Sequence, residues 1–161
     1  MKYKKGQFFS YDAVMAGALL SILIALLFIY WSSTHSLVFN QVDDMYRVGI
    51  AVSDTLLTPG SPANWNSANV HQVGLTDEFG SMNLNSQKVS RLYNYASGNY
   101  YGFQEKFGAS RYNLFITIDG YPNSIGMPPM NPTGLITIRR PVLYDGHPST
   151  LTVVVWMNYT V

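Results

Sequence analysis

Apolar and polar positions along this chain follow two different rules. Residues 13–31 (AVMAGALLSILIALLFIYW) are almost wholly apolar, and no Asp, Glu, Lys or Arg occurs from Ala13 to Thr34. A run that is apolar around its whole circumference predicts a helix with no water-facing side. Its 19 residues rise about 28 Å as a helix, close to the roughly 30 Å of a hydrocarbon core. Beyond it the rule changes. Val38, Val42, Met45, Gly49, Val52 and Leu56 recur at steps of 4, 3, 4, 3 and 4, the spacing of a single helical seam. Asn40, Asp44, Arg47 and Asp54 fall on the opposite face, and no Pro interrupts the stretch between Gly6 and Thr58. The pattern predicts one continuous helix over about residues 8–57. Its first half suits lipid; its second half carries a stripe for a folded head.

After Leu57 the punctuation is that of a small α+β domain. Pro59-Gly60 and Pro62 end the helix and reverse the chain, because Pro cannot continue a helix and Gly accepts the left-handed turn. Trp65 is expected to plug the base of the head against the seam. Residues 70–75 read as a short strand. Asn85 or Ser86 can cap a helix that places Val89, Leu92, Tyr93 and Ala96 on one face. A short helix or loop covers 100–107. Residues 112–118, 135–142 and 151–159 are β-branched and aromatic, and read as strands. Between them, 122–134 holds four Pro and two Gly, which predicts a long surface loop. Asp145-Gly146-His147-Pro148 is a turn signal joining the last two strands. Three or four antiparallel strands packed on the second half of the long helix are expected, with no internal repeat.

Composition narrows the function classes. The chain has 161 residues, 12% of them charged, with a net charge of +1. Without a basic excess there is little to neutralise a phosphate backbone, so nucleic acid is not an expected partner. Cys is absent, which removes disulfides, thiolate metal sites and Cys nucleophiles. Aromatic residues reach 14%, which argues against intrinsic disorder. The three His residues (His35, His71 and His147) are scattered, and no metalloprotease, phosphate-loop, nucleophile-elbow or dinucleotide motif occurs. No catalytic, cofactor or metal residue is expected, and the adjacent acids Asp43-Asp44 and Asp77-Glu78 read as solvated faces. Tyr93, Tyr95, Tyr100 and Tyr101 either fill the core and make subunit contacts or form an adhesive surface. Asn158-Tyr159-Thr160 is the one glycosylation sequon free of an intervening Pro.

Charge placement sets an expected topology. Lys2, Lys4 and Lys5 precede the apolar run and the next basic residue is Arg47, so the N-terminus is expected in the cytoplasm and the head outside. Tyr30 and Trp31 close the run where amphipathic rings suit an interface. An ordinary secretory signal would have a shorter apolar run and a small-x-small cleavage site near Ser32-Ser33-Thr34-His35-Ser36. A plain anchor would not be cut at all.

The segment before the run offers a third outcome. It reads Lys4-Lys5-Gly6-Gln7-Phe8-Phe9-Ser10-Tyr11-Asp12-Ala13. Basic residues, then Gly, then Gln-Phe-Phe-Ser-x-Asp-Ala and an apolar helix resembles the class III signal sequence of archaeal type IV pilins. The resemblance implies that a prepilin peptidase cuts between Gly6 and Gln7, leaving Gln7 as the new N-terminus. It also implies that an acidic residue shortly after the cut pairs with the N-terminal amine of a neighbouring subunit. Asp12 is that acid here, one position later than the family's usual fifth. The alternative for Asp12 is an interfacial residue solvated by headgroups, with Ser10 or Asp12 capping the helix. In the head, Thr58-Pro59-Gly60-Ser61-Pro62-Ala63-Asn64-Trp65, the short segment Val70-His71-Gln72-Val73-Gly74-Leu75, and in the tail Arg139-Arg140-Pro141-Val142 and then Leu151-Thr152-Val153-Val154-Val155-Trp156 are similar to exported pilin-like proteins of euryarchaea.

The expected organisation is a cytoplasmic leader at 1–6, a long helix at 7–57 and an exported β-rich head at 58–161. Within the helix, 7–34 is the transmembrane or filament-core part and 35–57 the amphipathic part. Ala13, Ala16, Gly17, Ala18, Ser21 and Ala25 would permit close helix approach. The expected partners are the prepilin peptidase, membrane lipid before assembly, and copies of the chain or other pilins packed through the helix. The expected location is the cell membrane and then a surface filament. The alternative is a membrane-anchored exported binding or adhesion domain that does not polymerise.

Overall fold

The computed structural model describes residues 5–158, with side chains described at 11–33 and 41–158. Helix α1 runs Lys5–Leu56, close to the predicted limits. It is followed by β1 (Asn83–Leu84), α2 (Ser86–Gly98), α3 (Tyr100–Lys106), β2 (Asn113–Ile118), β3 (Ile125–Gly126), β4 (Gly134–Tyr144) and β5 (His147–Met157). The chain forms two compact units, Met1–Gln41 and Val42–Val161, so the last part of α1 belongs to the head.

Within the head, α1 contributes the face predicted by the seam. Met45, Gly49, Val52 and Leu56 are buried, and Leu56 is fully covered. Gly49 lets helix and sheet approach closely, since a Cβ there would stand 3.0 Å from Ile138 Cγ1 and 3.3 Å from Val155 Cγ2. The seam starts later than expected. Val42 is 47% exposed because it stands at the margin of the head unit, and the side chain of Val38 lies outside the described residues. On the outward face, Asp54 Oδ1 lies 2.5 Å from Arg140 Nη2, and Arg140 Nε donates to Ser53 Oγ at 3.2 Å. These bonds tie α1 to β4.

The turn after α1 is built as its Pro and Gly residues suggest. Gly60 has φ +79°, and a Cβ there would meet Trp65 and the carbonyl of Gln72. Trp65 is fully buried, and its Nε1 donates to the carbonyl of Gly74 at 2.8 Å. Residues 70–75 are not the predicted strand. Val70, Val73 and Leu75 are buried, but their backbone closes the end of α1 instead of joining a ladder. Leu75 N–H donates to the carbonyl of Leu56 at 2.8 Å, and Thr76 N–H to that of Thr58 at 3.1 Å. Carbonyls left orphaned at a helix C-terminus take those donors, and strand pairing is reduced to a single bridge, Ser61 with Gln72.

Asn85, not Ser86, caps α2. Its side-chain oxygen accepts from the N–H groups of Gln87 and Lys88. Val89, Leu92 and Ala96 are buried on the inward face, and Tyr93 packs half-buried against them. Tyr95 and Tyr100 also belong to or pack on the core, whereas Tyr101 is 68% exposed, so three of the four tyrosines take the core-filling role.

The sheet is mixed and five-stranded, in the order β1-β4-β5-β2-β3. The expectation of three or four purely antiparallel strands missed two very short ones. β3 lies inside the predicted 122–134 loop and pairs with Phe115 and Ile116 of β2. It stays at two residues because Gly126, at φ +91°, turns the chain where any Cβ would strike the Leu114 carbonyl. β1 lies parallel to the end of β4, with Leu84 opposite Tyr144. The β4–β5 hairpin is longer than predicted. Its loop is only Asp145 and Gly146, both at positive φ (52° and 78°), and His147 and Pro148 already belong to β5. Tyr159 lies outside the described residues. Leu114, Ile116, Leu151, Val153 and Val155 form the inward sheet face with no exposure.

Candidate functional site

The largest uncovered feature of this protein is apolar. Tyr11–Ser33 is a 23-residue helical span of mean hydropathy 2.6, none of it buried, and long and apolar enough to cross a membrane. Leu, Ile and Phe side chains along it stand more than half exposed, Phe28 at 72%. Ser21, a polar exception, donates its hydroxyl to the carbonyl of Gly17 at 2.8 Å, which satisfies it within the helix. Asp12 stands exposed at the N-terminal margin of this span. Gly6 and Gln7 lie in the first turns of α1; their side chains, and all of Lys2 and Lys4, lie outside the described residues. Gly6, Gln7 and Asp12 therefore share one helix, while Asn158 belongs to the head.

Asn158 is exposed after β5, and its Nδ2 donates to the carbonyl of Met130 at 3.0 Å. The other two sequon residues, Tyr159 and Thr160, lie outside the described residues. His71 and His147 are exposed, the side chain of His35 is not described, and among the described residues no group of three or more His, Cys, Asp or Glu is placed to hold a metal ion. Asp44 is used structurally: it accepts the hydroxyl of Tyr112 at 2.6 Å.

One polar cluster escaped sequence reading. Lys88 is 5% exposed, in a helix face otherwise occupied by Val89 and Leu92. Its Nζ donates to the carbonyls of Thr76 (2.6 Å) and Pro59 (3.1 Å) and lies 3.2 Å from Asp77 Oδ1. An ammonium has three donors, and all three are spent on tying α2 to the turn after α1. The Asn85 amide adds a bond to Asp77 at 3.0 Å. These partners hold the Asp77 carboxyl below its ordinary pKa, the Asn85 bond most strongly, then Lys88. A depressed folded pKa contributes stability above the unfolded pKa, and that stability disappears as pH falls through the folded value. The head is thus expected to lose stability as pH falls below about 4, by no more than about 1 kcal/mol from this group because its side chain is largely exposed. Asp77→Asn should flatten that limb of the stability–pH curve, read by chemical denaturation at several pH values. An unchanged acid limb would assign it to other carboxylates.

Comparison of the chain with protein-family models, with curated proteins and with solved structures returns no match. The sequence and structure together define an α+β chain in which one long apolar N-terminal helix leads into a helix-plus-sheet head.

Proposed function

We propose that this protein is a structural subunit, major or minor, of an archaeal type IV pilus-like surface filament, assembled through its apolar N-terminal helix. The observation that carries the reading is that none of Tyr11–Ser33 is buried although the head has its own complete core. Apolar surface on that scale must be covered by lipid or by other apolar helices. In the proposed pathway lipid covers it first, with Lys2, Lys4 and Lys5 inside the cell and the head outside. A prepilin peptidase then cuts between Gly6 and Gln7, and copies of the helix replace lipid in a filament core.

Asp12 supports assembly rather than anchoring. A carboxylate at the rim of an apolar helix costs free energy unless it is paired. The α-amino group created at Gln7 of a neighbouring subunit would neutralise it and fix axial register. The second reading, an anchored exported adhesion domain that never polymerises, draws on exposed apolar side chains of the head such as Phe79 (82%) and Met130 (68%). Shearing filaments from cells and identifying their subunits tests both. The chain is expected in the sheared fraction, with its head open to protease on intact cells once any surface layer is removed. Recovery only from membranes would favour the anchored domain, and a head protected until the membrane dissolves would overturn both.

A further inference from the structure

Asn158 has no part in the filament proposed above, and both its sequence context and its place in the head set it apart. The chain holds twelve Asn residues, and only Asn131 and Asn158 have a Ser or Thr two places on. Pro132 disqualifies Asn131, which leaves Asn158-Tyr159-Thr160. The β4–β5 ladder ends at Met157, opposite Gly134, so Asn158 is the first residue past the paired strand. It is also exposed. An asparagine buried in the core, or locked into a ladder, would have to be pulled out of the fold before a large group could be joined to it. Asn158 needs no such movement.

Its amide is already oriented. Nδ2 donates one N–H to the Met130 carbonyl at 3.0 Å. An Asn amide has two N–H groups, and N-glycosylation replaces only one of them. The bond to Met130 therefore survives the modification and roots the sugar beside residues 127–130. That loop is held over the end of β5 by Trp156 Nε1, which donates to the Met127 carbonyl at 2.9 Å. Its surface is apolar, with Met130 68% exposed and Met127 44%. A bulky, solubilising group anchored at Asn158 would shield apolar side chains that otherwise face water.

We propose that Asn158 is an N-glycosylation site, and that its sugar covers the methionine-bearing loop at residues 127–130. The donor is a lipid-linked sugar phosphate. Nδ2 bonds to C1 of the sugar, and the bond from C1 to the phosphate oxygen breaks. The phosphate leaves with the electron pair, and Nδ2 gives up one proton. The inference rests on the proposed export of the head, because this sequon is used on exported chains. It does not depend on polymerisation, so an anchored domain would carry the same group.

The test uses native protein from the cells that make it. Intact mass should exceed that of the polypeptide by whole sugar units, and peptide fragmentation should place them on Asn158. Asn158→Gln should lose the added mass completely. Thr160→Val should lose it as well while keeping the Asn158 amide and its bond to Met130, and Thr160→Ser should retain most of it. Added mass that persists in Thr160→Val would overturn the proposal, as would an unmodified Asn158 in the native chain. Protease treatment of intact cells then separates the two readings. An unmodified Asn158 on a head that protease reaches defeats this inference alone, whereas one on a head sealed until the membrane dissolves defeats export as well.

Discussion

Gly6→Leu is expected to keep the protein at its full translated length and out of any filament. A peptidase working at the cytoplasmic face needs a small residue before the cut, because a side chain there crowds the site. Gly6 supplies that, between Lys4-Lys5 and Gln7. Cutting there removes three of the ten basic residues and none of the nine acids, so the net charge moves from +1 to −2. More consequentially, it removes lysines that would have to enter an apolar filament core, where a charged side chain costs several kcal/mol unless paired. Intact mass or N-terminal analysis of the native protein separates three outcomes. A start at Gln7 supports the proposed processing, a start near His35 indicates an ordinary secretory signal, and a start at Met1 indicates a plain anchor. In the Gly6→Leu variant the start is expected at Met1. A variant that still begins at Gln7 would remove the steric basis of the assignment.

The second large effect belongs to the head. Leu56→Asp places a carboxylate at a position with no exposure, within the buried cluster that also holds Val73, Leu75 and the inward residues of the sheet. The substitution loses the packing of a buried Leu and adds an unpaired charge, together about 4 kcal/mol or more. That is a large part of the roughly 5–15 kcal/mol typical of a whole domain. Thermal unfolding of the full-length chain in detergent micelles should show a head that melts far lower or is unfolded throughout. Leu56→Met, which conserves volume, should cost less than about 1.5 kcal/mol. An unshifted melt for Leu56→Asp would mean that the last turn of α1 is not part of the folded head.

Most of the helical content could be read in one dimension because it rests on local periodicity. The apolar run, the 4-3 seam and the Asn85 cap are all set by residues within one or two turns of each other. The seam even identified which face of α1 is buried, from Met45 to Leu56. Its early end at Val42 could not be read, because a helical stripe does not say how far along it a neighbouring domain reaches.

The candidate site divides in the same way. The uncovered span, with Asp12 at its margin, follows from hydropathy and length alone. The Lys88–Asp77–Asn85 cluster does not, since it joins α2 to carbonyls 12 and 29 residues away, and nothing local marks Lys88 as different from a solvated lysine. The only signal was its place beside Val89 on a helix whose inward face is apolar.

Residue order alone thus defines the class of this protein: a chain whose first part cannot be covered by its own folding and whose second part is an α+β head. Solvation decides that, and solvation is a property of each segment taken alone. Whatever depends on pairing between distant segments was left to the three-dimensional fold. Residues 70–75 closed the end of α1 instead of forming a strand, because the nearest unsatisfied groups were helix carbonyls and not another strand. The two-residue strands β1 and β3 exist only because β4 and β2 offer them backbone partners. The same competition closed the outer margin of β2, where Leu114 N–H found the Tyr100 hydroxyl, since each hydrogen-bonding group is satisfied by whichever partner the fold brings within reach.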